Sequence, residues 1–380
     1  MSARWKRVRK LKSGTRALRI SVFGYHGKRN LGDDLFLKIM VDRLFASTGR
    51  RTKVVVNGVG SALPRMGLSR HNLDVNGQGQ YSTSFRSYPM YASFIVHALR
   101  SDIIVFGGGT IFNSLPVRLM RILFWITPNT PKLAIGVSLG PFSKPAYKLA
   151  LQGLLSGFNK ILLRDRASVE RVGEFPNFRI SNDLVFSMHD EFGDLRATDK
   201  ADRIVFALNW FGDSDLERNA FFDQCVQIVR KLQSDAANHE IEVVVFRTCV
   251  DPKDGDQRIS ELLSRHLARA GLAVLDVDYD GTMGSVKEVF ARSKWAVASR
   301  MHAGVVADLC GCRVLQIAYA SKVKDIYWAG VPAGIKIVNF VDFDVNNAVG
   351  HLVSNENAQA REEYTTILRD LTEVRAEFFS

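Results

Sequence analysis

Short, unbroken apolar runs separated by amphipathic stretches recur along this 380-residue chain, in two series. The first holds ALRISVFGY (17–25), TKVVVN (52–57), DIIVF (102–106), LAIGV (133–137) and KILL (160–163). The second holds RIVFAL (203–208), EVVVF (242–246), LAVLDV (272–277), WAVAS (295–299) and VLQIA (314–318). A strand with one wet face alternates polar and apolar residues, so unbroken runs imply strands buried on both faces. The stretches between them have helical spacing: Leu35, Ile39 and Leu44 share a face within Asn30–Ser47, and Phe221–Leu232 reads likewise. Strand and helix in alternation predict parallel sheets covered by helices. The polar, aperiodic stretch Ser187–Lys200 separates the two series and reads as a linker. The expected fold is α/β, with two Rossmann-like domains facing across a cleft. Ligands then lie beyond the carboxyl ends of the strands. The predicted divisions are a basic arm over 1–16, domains over 17–190 and 200–350, and a C-terminal helix over 351–380, where Leu352–Phe379 shows a charged helical pattern.

Composition narrows the class. With 46% hydrophobic and 24% charged residues, a mainly disordered or coiled-coil chain is excluded. No run reaches the roughly 18 apolar residues of a membrane span. The best, Leu119–Thr127, contains Arg121 and is stopped by Pro128. No apolar segment follows the basic N-terminus, so it is not a secretory signal. The four cysteines form no C-x-x-C pair, which leaves reduced thiols and no metal site as the expectation. These features predict a cytoplasmic protein. The net charge is +12, and eight basic residues with no acidic one lie between Met1 and Arg19. Nucleic-acid binding needs basic residues spread over a folded face with aromatics among them. The arm offers only Trp5, and no nucleic acid is expected as a partner. The arm suits peripheral contact with an anionic cytoplasmic membrane face, or is a solvated tail.

Four constellations carry chemistry. Gly24-Tyr25-His26-Gly27-Lys28-Arg29-Asn30-Leu31-Gly32-Asp33-Asp34 ends a strand and opens a helix. Its glycines admit a ligand to the backbone, and the helix N-terminus offers N–H groups to an anion. It is neither G-x-G-x-x-G nor a P-loop. Chemistry alone favours the simpler reading, in which Asn30 or Asp33 caps the helix. Gly107-Gly108-Gly109-Thr110 forms either a nest of N–H groups or a plain tight turn. Leu163-Arg164-Asp165-Arg166-Ala167-Ser168 puts guanidinium groups at a strand end, for bidentate contact with an anion or as a surface Arg–Asp pair opening a helix. Ser299-Arg300-Met301-His302 sets a second arginine beside a candidate general acid/base.

The ordered set GYHGKRNLGDD, DIIVFGGGTIF, AIGVSLGPF, LLRDRAS, SNDLVF and SRMHAGVVADLCGCRVLQIAY, with Lys322 beyond, resembles the polysaccharide pyruvyl transferase family. The likeness spans roughly Ile20 to Trp328. It departs from the family at Lys28 and Arg29, where small or aromatic residues are usual, and at Leu184, where proline is common. The resemblance implies a GT-B-like pair of Rossmann-type domains and transfer of a pyruvyl unit from phosphoenolpyruvate to sugar hydroxyls as a ketal. It implies no cofactor. Phosphoenolpyruvate is the donor substrate, and the acceptor is a sugar of a surface polysaccharide or of its lipid-linked precursor. By match, His302 is the acid/base, and Arg300 and Arg164 clamp the donor's anions. Gly24, Asn30, Gly32, Asp33, Gly108, Gly109, Thr110, Arg166, Ser299 and Lys322 are the expected substrate-binding residues. Two alternatives stand beside this: a GT-B glycosyltransferase using a nucleotide sugar, and a non-catalytic basic protein that binds polyanions.

Overall fold

The computed structural model describes residues 17–45, 52–57, 87–113, 115–197, 199–209, 214–235, 240–252, 255–319, 321–340, 343–354 and 362–379. For residues 87–90, 197, 321–322 and 362–365 it describes the backbone alone. The basic arm over 1–16, with Trp5, lies outside the described residues. Two compact units divide the chain: Met1–Lys28 with Asp33–Leu184 and Glu363–Ser380, and Arg29–Gly32 with Val185–Glu362.

The first unit is built on a six-stranded parallel sheet: β1 Leu18–Gly24, β2 Thr52–Asn57, β3 Ile103–Gly109, β4 Lys132–Val137, β5 Lys160–Leu163 and β6 Phe178–Ile180. Their order is β2-β1-β3-β4-β5-β6. The order reverses between β1 and β3, which pair in register from Ile20↔Ile103 to Gly24↔Gly107. Every residue of β4 is buried, as its unbroken apolar run predicts. Phe106 on β3 anchors an aromatic core, with Phe94 and Phe158 edge-on at 5.6 and 5.2 Å. Removing a ring there would cost about 3–5 kcal/mol.

The helix expected over Asn30–Ser47 is α-helical over Leu31–Ile39 and continues as a π-helix over Met40–Phe45. Met40, Val41, Leu44 and Phe45 are buried there. The C-terminal helix Glu362–Phe378 groups with the first unit rather than standing apart. Its buried Asp370 accepts from Arg179 Nε and Nη2 at 3.1 and 2.8 Å, and from Ser181 Oγ at 2.6 Å.

The second unit has its own six-stranded parallel sheet: β7 Ala201–Ala207, β8 Glu242–Arg247, β9 Val274–Asp278, β10 Ser293–Ala298, β11 Arg313–Ala318 and β12 Ile335–Asn339. The order is β12-β11-β10-β7-β8-β9. The order of strand addition reverses at the parallel β7/β10 pair, the switch point where a doubly wound sheet leaves a crevice. The two Rossmann-like α/β units match the fold read from the sequence. The stretch expected as an aperiodic linker, Ser187–Lys200, is instead helical over Leu184–Ala197 in three short turns. Met188 and Phe192, one turn apart, are buried there and supply the anchor that the surrounding acidic residues mask in the sequence. Among the described residues no helix is long and apolar enough to cross a membrane.

Candidate functional site

In the first unit the switch point is lined by glycine. A β-carbon on Gly24 would stand 2.3 Å from His26 Nε2 and 2.6 Å from Gly107 O, so the His26 ring folds back onto the end of β1. His26 is 1% exposed. Its Nδ1 lies 3.1 Å from the carbonyl oxygen of Asp33. That oxygen can only accept, so Nδ1 carries the hydrogen and Nε2 is a buried, unprotonated nitrogen with no hydrogen-bond partner among the described residues. Burial lowers the pKa of His26 to about 4, against a weaker opposing effect of the Asp33 carbonyl. At the end of β3, Gly108 has φ +80°, and Phe36 occupies the space a side chain would need, 2.5 Å from its β-carbon position. Gly109, at φ +69°, accepts from Ser138 N at 2.9 Å. The Asp33 carboxylate lies 3.8 Å from where its β-carbon would be. Thr110 follows as a half-exposed turn residue.

Arg164, at the end of β5, is 4% exposed. Its Nη1 donates to Asp183 Oδ2 at 3.0 Å and its Nε to Ser138 Oγ at 2.7 Å. Ser138 Oγ donates to Asp165 Oδ2. Asp165 Oδ1 accepts from Ser168 N and Oγ at 2.7 and 2.8 Å, in the first turn of the helix Ala167–Val172. The Arg164 fork serves Asp183 and Ser138, and ties β5 to the segment after β4. Arg166, its neighbour, is exposed.

The second unit's switch point gathers more of the expected residues. Ser299 N and Arg300 N both donate to Ala207 O, at 3.1 and 3.3 Å, joining the ends of β10 and β7. Ser299 Oγ accepts from Asn209 N at 2.6 Å. Arg300 precedes the helix Met301–Leu309, and its Nε and Nη2 donate to Asp256 Oδ1 at 2.8 and 2.5 Å. Asp256 is fully buried. Its other oxygen accepts from Cys249 N at 2.9 Å and from Thr248 N and Oγ1 at 3.1 and 3.2 Å. Burial alone would depress the Arg300 guanidinium, but the Asp256 carboxylate against it holds it above its ordinary value.

The strand end that feeds Asp256 also receives residues 29–32. Asn30 bridges Cys249, Leu31 N donates to Thr248 O at 2.9 Å, and Val250 N donates to Arg29 O at 3.1 Å. Arg29 takes φ +49°, a left-handed conformation that a side chain adopts at a cost of about 1 kcal/mol. Asn30 Oδ1 accepts from Gly32 N at 3.2 Å, the helix cap that chemistry favoured. A β-carbon on Gly32 would stand 2.0 Å from His302 Nδ1. The structure thus brings together Asn30, Gly32, Ser299, Arg300 and His302. Sequence reasoning missed Asp256 and His26. The one signal for Asp256 was three aspartates in VDPKDGD after a strand end of an otherwise basic chain. Lys322 lies in the helix Ser321–Asp325, but its side chain lies outside the described residues. Among the described residues, no group of three or more His, Cys, Asp or Glu is placed to hold a metal ion.

The sequence profile of the polysaccharide pyruvyl transferases matches residues 30–321, from the Asn30 cap to the helix after β11. The chain belongs to the polysaccharide pyruvyl transferase family. No curated protein matches it. Among solved structures, it is similar to the UDP-GlcNAc 2-epimerase of Methanocaldococcus jannaschii, with a TM-score of 0.57 and 7% identity over 94% of this chain and 100% of that one. It is also similar to a UDP-forming trehalose-phosphate synthase from Burkholderia xenovorans, with a TM-score of 0.53 and 12% identity over 96% and 98%. An Anabaena protein solved with UDP and glucose gives a TM-score of 0.52 and 12% identity over 96% of each chain. At such identities these likenesses show the fold alone. It is the GT-B-like, two-Rossmann-unit fold that the resemblance to the pyruvyl transferases implied.

Proposed function

We propose that this pyruvyl transferase family member moves a pyruvyl group from phosphoenolpyruvate to two hydroxyls of a sugar, forming a ketal. The acceptor belongs to a surface polysaccharide or its lipid-linked precursor. The observation that carries the reading is the placement of Ser299, Arg300 and His302 at the second sheet's switch point, inside the span matched by the family. The donor has a carboxylate, a phosphate and a methylene carbon, so it needs a cation held in place and a proton source. Asp256 fixes the plane of the Arg300 guanidinium. A cation so oriented loses little rotamer freedom on meeting an anion.

His302 gives a proton to the methylene carbon, which becomes a methyl group, and C2 gains oxocarbenium character. A sugar hydroxyl adds to C2 and passes its proton back to His302. The C2–O bond to phosphate then breaks, and phosphate leaves with the bonding electron pair. The second hydroxyl closes the ring and releases its proton, which ends on phosphate. Phosphoenolpyruvate and a diol therefore give a carboxylate ketal and hydrogen phosphate. General acid–base groups typically contribute about 10²–10⁴-fold. Gly32 backs the Nδ1 edge of His302, so proton traffic runs through Nε2.

The test is incubation with phosphoenolpyruvate and candidate sugars, reading free phosphate and the mass of the sugar. Phosphate release with a matching mass gain supports the reading. Consumption of a nucleotide sugar in its place would favour the glycosyltransferase that the solved neighbours bring to mind.

A further inference from the structure

The helix Val117–Ile126 packs one face into the first unit's core through Val117, Met120 and Leu123. Its outward stripe is Arg118, Arg121, Ile122, Trp125 and Ile126, at the spacing of consecutive turns on one face. A surface helix ordinarily turns polar residues to that side. Here Trp125 is 80% exposed and Ile122 55%. The helix Pro145–Leu155 packs beside it and adds Leu149, 69% exposed, with exposed Lys144 at its start. From Ile103 to Arg164 the chain has seven Lys or Arg and no Asp or Glu. Among the described residues, neither Arg118 nor Arg121 has an ion-pair or hydrogen-bond partner.

We propose that this stripe is a docking surface for an anionic lipid bilayer. Exposed arginines beside an exposed tryptophan suit the depth of lipid head groups, where the cations meet phosphate and the indole sits at the boundary. A ten-residue helix lying flat reaches only the interface, so docking is peripheral and reversible. A second copy of this chain is a poorer occupant. A two-fold contact through the stripe would set Arg118 and Arg121 against their own copies with no acid in either helix to relieve them. The proposal concerns a face of the first unit. It needs neither the basic arm nor the proposed reaction.

The test is co-sedimentation of the full chain with vesicles of mixed phosphatidylglycerol and phosphatidylcholine, or of phosphatidylcholine alone, at low and high salt. Wild type should bind the anionic vesicles, and salt should weaken binding as screening shortens. Arg118→Gln with Arg121→Gln should weaken it on the order of tenfold or more, because each basic residue near such a surface adds a comparable increment. Trp125→Ser should weaken it at both salt concentrations. These residues are exposed, so both variants should melt like wild type. Four results would overturn the proposal: wild type failing to bind, equal binding to neutral vesicles, unchanged binding by both variants, or a wild-type dimer that Trp125→Ser dissociates.

Discussion

His302 rests directly on the backbone of Gly32, so closely that a β-carbon at position 32 would lie 2.0 Å from its Nδ1. Alanine suits a helix better than glycine, so Gly32→Ala carries no penalty from propensity. What it does is push the imidazole aside. A displacement of about 1 Å in a reacting group can cost about 10²-fold in rate. Gly32→Ala should therefore lower kcat by about that factor and leave the melting temperature nearly unchanged. Unaltered kcat would mean that the contact does not position His302.

Asp256 connects two halves of the same site, since one oxygen holds Arg300 and the other holds the Thr248–Cys249 backbone beside residues 29–31. Breaking a buried pair by removing one partner typically costs about 3–5 kcal/mol. Arg300 keeps 20% side-chain exposure, so water recovers part of that. Asp256→Asn should destabilise by roughly 2–3 kcal/mol in denaturant unfolding. It should also raise KM for phosphoenolpyruvate more than it lowers kcat, because Arg300 loses its fixed plane.

The two arginines read alike in the sequence separate here by environment. Arg164 is bound to Asp183 and Ser138 with 5% of its side chain exposed, whereas Arg300, bound to Asp256 at the second sheet's switch point, keeps 20%. Lysine keeps charge but loses the fork. Arg164→Lys should lower the melting temperature with little change in KM for the donor. Arg300→Lys should raise that KM with less effect on melting. The reverse pattern would return the clamp to Arg164.

His26 makes stability depend on pH. Its folded pKa, about 4, lies below the ordinary 6.5, so the unfolded chain takes up a proton first as pH falls. The stability that neutral His26 provides is whole above pH 6.5 and is lost on descending toward pH 4. Between pH 7 and pH 5 the loss should be roughly 1–2 kcal/mol. Urea unfolding at both pH values should show it in wild type and much less of it in His26→Gln. An equal pH dependence in the two proteins would assign the effect to other groups.

The strands were legible where burial on both faces leaves an unbroken apolar run. TKVVVN (52–57) and KILL (160–163) fold over the residues read from the sequence. Phe178–Ile180 and Ile335–Asn339 escaped notice because they are short edge strands, largely half-buried, with no such run. At the site, chemistry near a strand end pointed to Ser299, Arg300 and His302. Asp256 acts through Arg300, 44 residues away in the chain, and nothing in its local sequence states that contact.

The central claim, donor protonation and pyruvyl transfer, is most directly tested by running the reaction with phosphoenolpyruvate and the sugar acceptor in heavy water. The account predicts one phosphate released per sugar modified, and a ketal whose methyl group carries one deuterium from solvent. The rates of phosphate release and of ketal formation should both fall about 10²–10⁴-fold in folded His302→Ala. A methyl group without solvent deuterium, or a His302→Ala protein that works at the wild-type rate, would contradict it.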